Sequence, residues 1–476
     1  MNLDSPFTRS PGRERSRQLL VRLLFLIYLL LLFEGGLRKW LLPAYSQALF
    51  FVRDPVVLLV YLLALKDGWW PKRSPLVAGA IALGAAGLLV AIAQLATAGG
   101  EASQRLMFAA YGWRNYFFYI PLAAVIGEVL EPRDLRLVIR TTLWLVLPVA
   151  VLVFIQFRSA PDAPINVGSG ATEALQFRGL GLDEEHTRPM GIFTSDVGQK
   201  LFTVSCVAML LAQWISPRER RFVPPWQLIP ATAATLTCLA VGGSRGAMLQ
   251  SAIVVAGALA ASVLVRRGGI SMRAVLLPTL LAVAAVALYP IVFPEGYAAF
   301  MTRWTLAADV ESQSFKYGIF SRALYALFDF VFLIGDAPVA GYGLGLAGNA
   351  ALTLGADVTG FHGWAETDWS RHIVDLGHVL GLIIIAARIA LTLWLGRTCL
   401  TGARRAGDPL PLLLFAFIGE DLLSDQITGH GTVNGYSWIF AGYCLAAARL
   451  RSAEEEGTAG EPARPVAVRR FPNIVT

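Results

Sequence analysis

The stretch VGGSRGAML, residues 241–249, places the pair Ser244 and Arg245 between two long apolar runs. A guanidinium stays charged at physiological pH and is costly to bury in hydrocarbon. Because this gap is too short to form a free loop, a specific anionic partner for Arg245 is favoured. The alternative is that Arg245 extends its side chain to the lipid headgroups.

A second group of reactive residues lies in FHGWAETDWSRHIVDLGHV, residues 361–379. Helical spacing puts Asp368 and His372 on one side of a helix, and Arg371 and Asp375 likewise. Such residues form either a solvated, self-paired helix end or a functional site, and their closeness to an apolar run favours function. The candidates in this stretch are His362, Glu366, Asp368, Arg371, His372 and Asp375.

A glycine-rich stretch, DAPVAGYGLGLAGN at 336–349, precedes this group. Closely spaced glycines permit tight turns, so the stretch is either a phosphate-binding loop or a bend that returns the chain to an apolar environment.

The composition indicates the environment that surrounds these residues. Hydrophobic residues make up 55% of the 476-residue chain and charged residues only 15%, and the mean hydropathy is +0.57. These values are typical of integral membrane proteins, and the continuous apolar runs favour helices over a barrel. The predicted fold is an all-α integral membrane protein with about twelve transmembrane helices. The spans lie near 19–34, 48–65, 76–97, 113–130, 137–157, 191–215, 227–243, 246–265, 274–293, 376–395, 410–425 and 433–449.

Basic residues collect in alternate connections, which predicts that these connections and both termini are cytoplasmic. The net charge of +7 is then explained by topology and anionic membrane lipids, and no nucleic-acid partner is expected. The basic segments are 9–17, 66–73, 131–136, 217–221, 266–269, 396–405 and the tail from Arg449.

This topology divides the chain into five parts. They are a cytoplasmic segment at 1–18, helices 1–9 at 19–293, a large helical extracytoplasmic loop at 294–375, helices 10–12 at 376–449, and a disordered cytoplasmic tail at 450–476. A loop of this length is usually functional when its sequence is not of low complexity. The four cysteines suggest neither a disulfide framework nor a zinc site.

The order of several motifs resembles the O-antigen ligase and polymerase superfamily of bacterial envelope glycan assembly. RPMGIF is followed by GGSRGA at the start of a span, by an arginine in a loop helix, by PVAGYGLG and by DLGHVLGL, over roughly residues 188–382. Many members place a histidine about eleven residues before the G-x-x-x-G that enters the next span, whereas this chain has Glu366 there, as some members do.

The resemblance implies a glycosyltransferase, a polymerase or a ligase, in the bacterial cytoplasmic membrane. It would pass a polyprenyl-diphosphate-linked glycan to an acceptor sugar hydroxyl at the outer face, for exopolysaccharide or O-antigen synthesis. Glu366 is then the candidate general base, with His362 and His372 as alternatives. The candidate ligands of the diphosphate and glycan are Arg245, Arg188, Arg322 and Arg371. The outward loops contain no Asp-x-Asp motif, so we expect no metal and no cofactor in the reaction.

Two other functions stay open. A transporter would also have about twelve helices, and Glu420 and Asp421 inside an apolar run could relay protons or bind ions. A non-catalytic scaffold for other polysaccharide-assembly proteins could use the cytoplasmic tail to recruit partners.

Overall fold

A computed structural model describes residues 11–97, 102–168, 187–217, 220–265, 276, 280, 283, 287–314, 327–348 and 367–459. Within these ranges the chain is helical and forms no strand. The described residues therefore agree with the all-α prediction.

The described part of the chain forms fifteen α-helices. They are α1 Pro11–Gly36, α2 Ser46–Leu49, α3 Asp54–Lys66, α4 Pro75–Thr97, α5 Ala102–Trp113, α6 Ile120–Val129, α7 Pro132–Arg158, α8 Asp196–Ile215, α9 Pro225–Gly242, α10 Arg245–Leu264, α11 Pro294–Ser314, α12 Phe330–Leu333, α13 Asp368–Ala406, α14 Leu410–Ser424 and α15 Gly431–Ala459. Two π-helical turns, Leu37–Leu41 and Arg114–Phe118, and two 3₁₀ turns, Pro43–Tyr45 and Pro164–Asn166, lie between them.

Six segments of the described chain are long and apolar enough to cross a membrane. They are Pro11–Leu41, Pro43–Lys66, Pro75–Ala96, Pro132–Arg158, Arg245–Leu264 and Asp368–Ala406. Helices α8, α9, α14 and α15 also coincide with predicted spans, but they do not meet the same length and hydropathy criteria. The ninth predicted span, 274–293, lies mostly outside the described residues.

The predicted cytoplasmic segments meet at one end of the bundle, which we call the basic end. Ser16 donates to Asp67 at 2.5 Å, and Arg17 pairs with Asp134 at 2.6 Å. Segments further along the chain join the same end through hydrogen bonds from Arg220 to the Ala406 carbonyl, from Arg404 to the Leu264 carbonyl and from Arg449 to the Glu128 carbonyl. These contacts agree with the predicted alternation, apart from 266–269, which lie outside the described residues.

A second band of buried charge lies at the other end, which we call the site end. Helix α1 connects the two bands, because Arg17 lies in its first turns and the buried Glu34 in its last turn pairs with Arg53 at 3.1 Å. Seventeen residues of helix span about 26 Å, close to the roughly 30 Å of a bilayer core. The spacing of the two charged bands is therefore the spacing expected of a protein that crosses a membrane.

The helix boundaries follow local chemistry. Helix α7 begins with Pro132 in its first turn, and Glu131 and Asp134 form a reciprocal capping box around its first amides. Helix α13 ends at Gly407, whose left-handed backbone suits a glycine at a helix end. The largest apolar cluster among the described residues receives fully buried side chains from α1, α6, α7, α8, α14 and α15, and three smaller clusters lie beside it.

Three of the predicted domain boundaries, those after residues 18, 375 and 449, fall inside α1, α13 and α15. Helix α15 continues to Ala459, although the segment from 450 onward was expected to be disordered. In the predicted outer loop, 294–375, the described part contains α11, α12 and the beginning of α13.

Candidate functional site

Arg245 is the first residue of α10, at a sharp junction between two helices. Gly243 ends α9 in a left-handed conformation with a φ of 54°. The Ser244 hydroxyl then accepts a hydrogen bond from the Ala247 amide and caps α10. The Arg245 guanidinium carbon lies 5.7 Å from the ring centroid of Trp304 in α11. Arg245 is half-buried and lies against a helix of the predicted outer loop.

Two more cations lie at this end, Lys200 in the second turn of α8 and Arg188 in the segment that precedes this helix. Arg188 forms an ion pair with Asp196 in the first turn of α8. One turn later, the Lys200 ammonium lies 3.3 Å from Asp425 Oδ2. A Cβ built on Gly246 would lie 3.5 Å from Lys200 Cδ. The starts of α8 and α10 are therefore adjacent, and both direct the positive ends of their dipoles toward the same region.

Arg371 lies in the first turn of α13 and is 5% exposed. Its Nη1 atom is 3.8 Å from Asp368 Oδ1, and a Cβ built on Gly429 would lie 2.0 Å from the same Nη1. The guanidinium therefore rests on the backbone between α14 and α15. A larger residue at position 429 would displace the guanidinium from this place.

Helix α13 reverses direction at Gly377, whose φ of 75° and ψ of 173° are not helical. Asp368 and Arg388 are separated by 20 residues, which would be about 30 Å in a straight helix. Their side chains nevertheless form an ion pair at 2.5 Å. Residues 368–376 therefore fold back against the helix that follows. As the helical spacing predicts, Asp368 and His372 lie on the same side of this segment, with 4.0 Å between Asp368 Oδ2 and His372 Nε2.

The glycine-rich stretch fits around this reversal. A Cβ on Gly341 would lie 2.5 Å from the Gly377 amide nitrogen, and a Cβ on Gly345 would lie 2.5 Å from the Phe108 carbonyl oxygen. The Leu344 amide donates to Gln94 Oε1 at 2.9 Å, and the Ala347 amide donates to Asp375 Oδ1 at 2.8 Å. Because these glycines and amides contact protein groups, the structure favours the interpretation of this stretch as a bend over that of a phosphate-binding loop.

Arg388 organises the interior of the site end. Its Nε donates to the Leu422 carbonyl, its Nη2 to the carbonyls of Asp421 and Asp425, and its Nη1 to Asp368 and His372 Nε2. Carbonyls at a helix C-terminus lack partners within the helix. Arg388 therefore caps α14 and holds the folded-back part of α13 with the same guanidinium.

The same contacts define the state of His372. A guanidinium can only donate, so His372 Nε2 must accept, and the ring proton is on Nδ1. Nδ1 then donates to the Tyr116 hydroxyl at 3.0 Å, which donates to Asp375 Oδ2 at 3.2 Å. His372 is fully buried and both of its ring nitrogens are engaged, so this arrangement fits a positioning role better than that of a general base.

A second histidine, His430, lies between α14 and α15. The Thr432 amide donates to its Nδ1 at 3.3 Å, so its proton is on Nε2, 3.2 Å from the Ser195 hydroxyl that precedes α8. Burial lowers the pKa of His430 to about 4, against the attraction of the carboxylates of Asp425 and Asp196. The imidazole is therefore neutral at physiological pH and links α8 to the turn that supports Arg371.

The described structure brings together three of the predicted ligands, Arg188, Arg245 and Arg371, at the site end. The predicted residues Glu366, His362 and Arg322 lie outside the described residues. Thr367, which follows Glu366 in the chain, donates to Asp329 at 2.8 Å and caps α13.

Sequence reasoning missed Lys200, Arg388, Asp425 and His430 as members of this site. A signal was present for two of them, because Lys200 and Arg388 are single cations inside long apolar runs, where an ionisable residue marks a function or a partner. Their partners could not be identified in the same way. Lys200 pairs with a carboxylate 225 residues away, and Arg388 pairs across the reversal at Gly377.

The arrangement is suited to an anionic ligand. Lys200 and the three arginines border two helix N-termini, and the cations of Arg188 and Lys200 are held by carboxylates that an incoming anion could replace. Oxygen ligands for a metal occur nearby, in Glu420, Asp421 and Asp425.

Comparison with known proteins assigns no family. No protein-family model matches the chain, and no curated protein matches it.

Proposed function

We propose that this chain is a membrane glycosyltransferase of the polymerase or ligase type. It transfers a polyprenyl-diphosphate-linked glycan to an acceptor sugar hydroxyl at the outer face of a bacterial cytoplasmic membrane, in exopolysaccharide or O-antigen synthesis. The observation that supports it most is the group Arg188, Lys200 and Arg245 at the adjacent starts of α8 and α10. The order of motifs in the sequence gives the reaction class.

In the proposed reaction Glu366 accepts the proton of the acceptor hydroxyl. The hydroxyl oxygen attacks the anomeric carbon of the donor, the bond from that carbon to the diphosphate oxygen breaks, and polyprenyl diphosphate leaves. A positioned base and cations that stabilise the leaving diphosphate are each worth about 10² to 10⁴ in rate. Arg245, Arg188 and Arg322 would hold the diphosphate and glycan. The buried Arg371 would position the turn beneath them.

Two carboxylates hold cations of the site in position before the diphosphate of the donor binds. Asp196 and Asp425 hold the side chains of Arg188 and Lys200 before the donor binds. Donor oxygens then replace carboxylate oxygens, so the cations need little rearrangement when charge develops on the leaving group.

A transporter is the second candidate, because Asp421 is fully buried inside the bundle and Glu420 and Asp425 lie close to it. Transporters usually place their binding residues near the membrane midplane, on interrupted helices. Here Glu420 and Asp421 lie in the last turns of α14, at the site end. If transport is the function, substitution of Glu420 and Asp421 should impair it more than substitution of Arg245 or Glu366.

The test is deletion of the gene followed by gel analysis of the surface glycan. Loss of long chains with single repeat units retained would indicate a polymerase, and accumulation of full-length lipid-linked polymer would indicate a ligase. Complementation with Arg397→Ala, an exposed arginine near the basic end, should restore the wild-type pattern, whereas Arg245→Ala should not. An unchanged glycan pattern in the deletion strain would contradict the proposal.

A further inference from the structure

Three carboxylates converge where α14 ends. Oxygen atoms of Glu420, Asp421 and Asp425 all lie within 4.8 Å of one another. Asp421 is fully buried, Asp425 is half-buried and Glu420 is exposed. The group therefore has a buried interior and an opening through which a hydrated ion could enter.

The charges of this group do not balance within the described structure. The three carboxylates carry −3, and Lys200, at 3.3 Å from Asp425, supplies +1, which leaves −2. Arg388 adds no ion pair to the group, because it contacts the backbone carbonyls of Asp421 and Asp425. Like charges this close cannot all remain ionised without a further cation or proton.

Gln250 of α10 gives an independent indication of a ligand. Its side chain is 2% exposed, and its Nε2 donates to Asp421 Oδ2 at 2.9 Å and to the Phe417 carbonyl at 3.0 Å. The other atom of the same amide, Oε1, and Asp421 Oδ1 are buried and have no hydrogen-bond partner among the described residues. Buried acceptors without donors are costly, and a cation would satisfy both.

We propose that Glu420, Asp421, Asp425 and Gln250 bind one divalent cation of the hard class, such as Ca²⁺ or Mg²⁺. Carboxylate and amide oxygens are the ligands these ions prefer. A divalent cation would bring the net charge of the three carboxylates and Lys200 to zero, whereas one shared proton would leave a net charge of −1.

The ion would be structural. It would join the end of α14 to α10 through Gln250, and to α8 through the Lys200 and Asp425 pair. The inference does not rest on the proposed glycosyl transfer, whose chemical step uses no metal.

The test uses the full-length protein in detergent after treatment with EDTA, at constant pH and ionic strength. Ca²⁺ or Mg²⁺ is titrated while calorimetry measures stoichiometry and tryptophan fluorescence follows thermal unfolding. We expect one ion per chain and a rise of a few degrees in the unfolding temperature at saturation, because the ion binds only the folded state.

Variants locate the site. Asp421→Asn, which keeps the volume of the side chain, and Glu420→Gln, which changes an exposed residue and carries little folding risk, should each weaken binding at least tenfold. Glu128→Gln, an exposed carboxylate near the basic end that pairs with Arg449, should bind as the wild type does.

The proposal is overturned if neither ion binds at about 10 mM, or if Asp421→Asn and Glu420→Gln both bind normally. An unfolding temperature that responds to pH and not to either ion would assign the missing charge to a proton. These readouts do not use turnover, so an inactive enzyme would leave them interpretable.

Discussion

At the scale of single residues, Arg388 shows how one buried cation can organise a membrane-embedded site. It satisfies the last carbonyls of α14 and also neutralises Asp368, which is fully buried. A lysine in its place would have three donors around one nitrogen and could not reach all of these acceptors.

We therefore predict that Arg388→Lys, which keeps the charge but leaves buried carbonyls without a donor, destabilises the fold by roughly 1–3 kcal/mol for each acceptor that loses its donor. The measurement is thermal unfolding in detergent, compared with Arg397→Lys at an exposed position near the basic end. Equal unfolding temperatures for the two variants would show that Arg388 does not cap α14 as described.

His430 leads to a prediction of pH dependence. Its pKa of about 4 in the folded protein lies below the value near 6.5 of a free histidine, so between these values the unfolded chain binds the extra proton. Stability should fall as the pH decreases from about 6.5 toward 4. Between pH 7 and pH 5 the loss should be about 1–2 kcal/mol. In His430→Gln this part of the pH dependence should disappear, and the same pH profile in both proteins would refute the assignment.

At the scale of helices, the reversal of α13 explains why charges far apart in sequence meet. Hydropathy predicted a helix from 376 onward, and the helix is present, but nothing in the hydropathy of DLGHVLGL distinguishes a reversal from a straight entry into the membrane. The close approach of Gly341 and Gly377 depends on long-range packing, which residue spacing along the chain does not reveal.

Gly377→Ala should disrupt this element. Its backbone conformation is available almost only to glycine, at a cost of roughly 1–3 kcal/mol for other residues, and a Cβ would lie 1.9 Å from the Val339 carbonyl oxygen. We expect a lower unfolding temperature together with loss of transfer activity. The control is Gly335→Ala, where a Cβ would meet no atom within 4 Å. A normal unfolding temperature for Gly377→Ala would argue against the reversal.

At the scale of the whole molecule, composition and basic segments predicted the helical class and the segments that meet at the basic end. In the described chain, six segments are long and apolar enough to cross a membrane. The larger count of about twelve spans therefore stays a prediction. The predicted topology could only suggest that four cations meet at one end of the bundle, namely Arg188, Lys200, Arg245 and Arg371. Their contacts join α8, α10, α13 and the turn after α14, which are far apart in the sequence.

Reporter fusions test the orientation. Fusions after residue 220, at the basic end, and near residue 340, beside the reversal of α13, should report opposite compartments, with the first cytoplasmic. Finding both on the same side would remove the basis for an active site at the outer face.

Turnover of the purified protein, with a polyprenyl-diphosphate-linked glycan as donor, tests the central claim most directly. The wild-type protein should extend or transfer the glycan. Glu366→Gln should lose about 10² to 10⁴ in rate while it retains donor binding, and Arg245→Ala should lose both donor affinity and rate. Arg397→Ala should behave as the wild type does, and His362→Ala and His372→Ala test the alternative bases. Near-normal turnover of Glu366→Gln with loss in one histidine variant would assign the base to that histidine. Absence of transfer by the wild-type protein, or normal donor affinity and turnover in Arg245→Ala, would contradict the account.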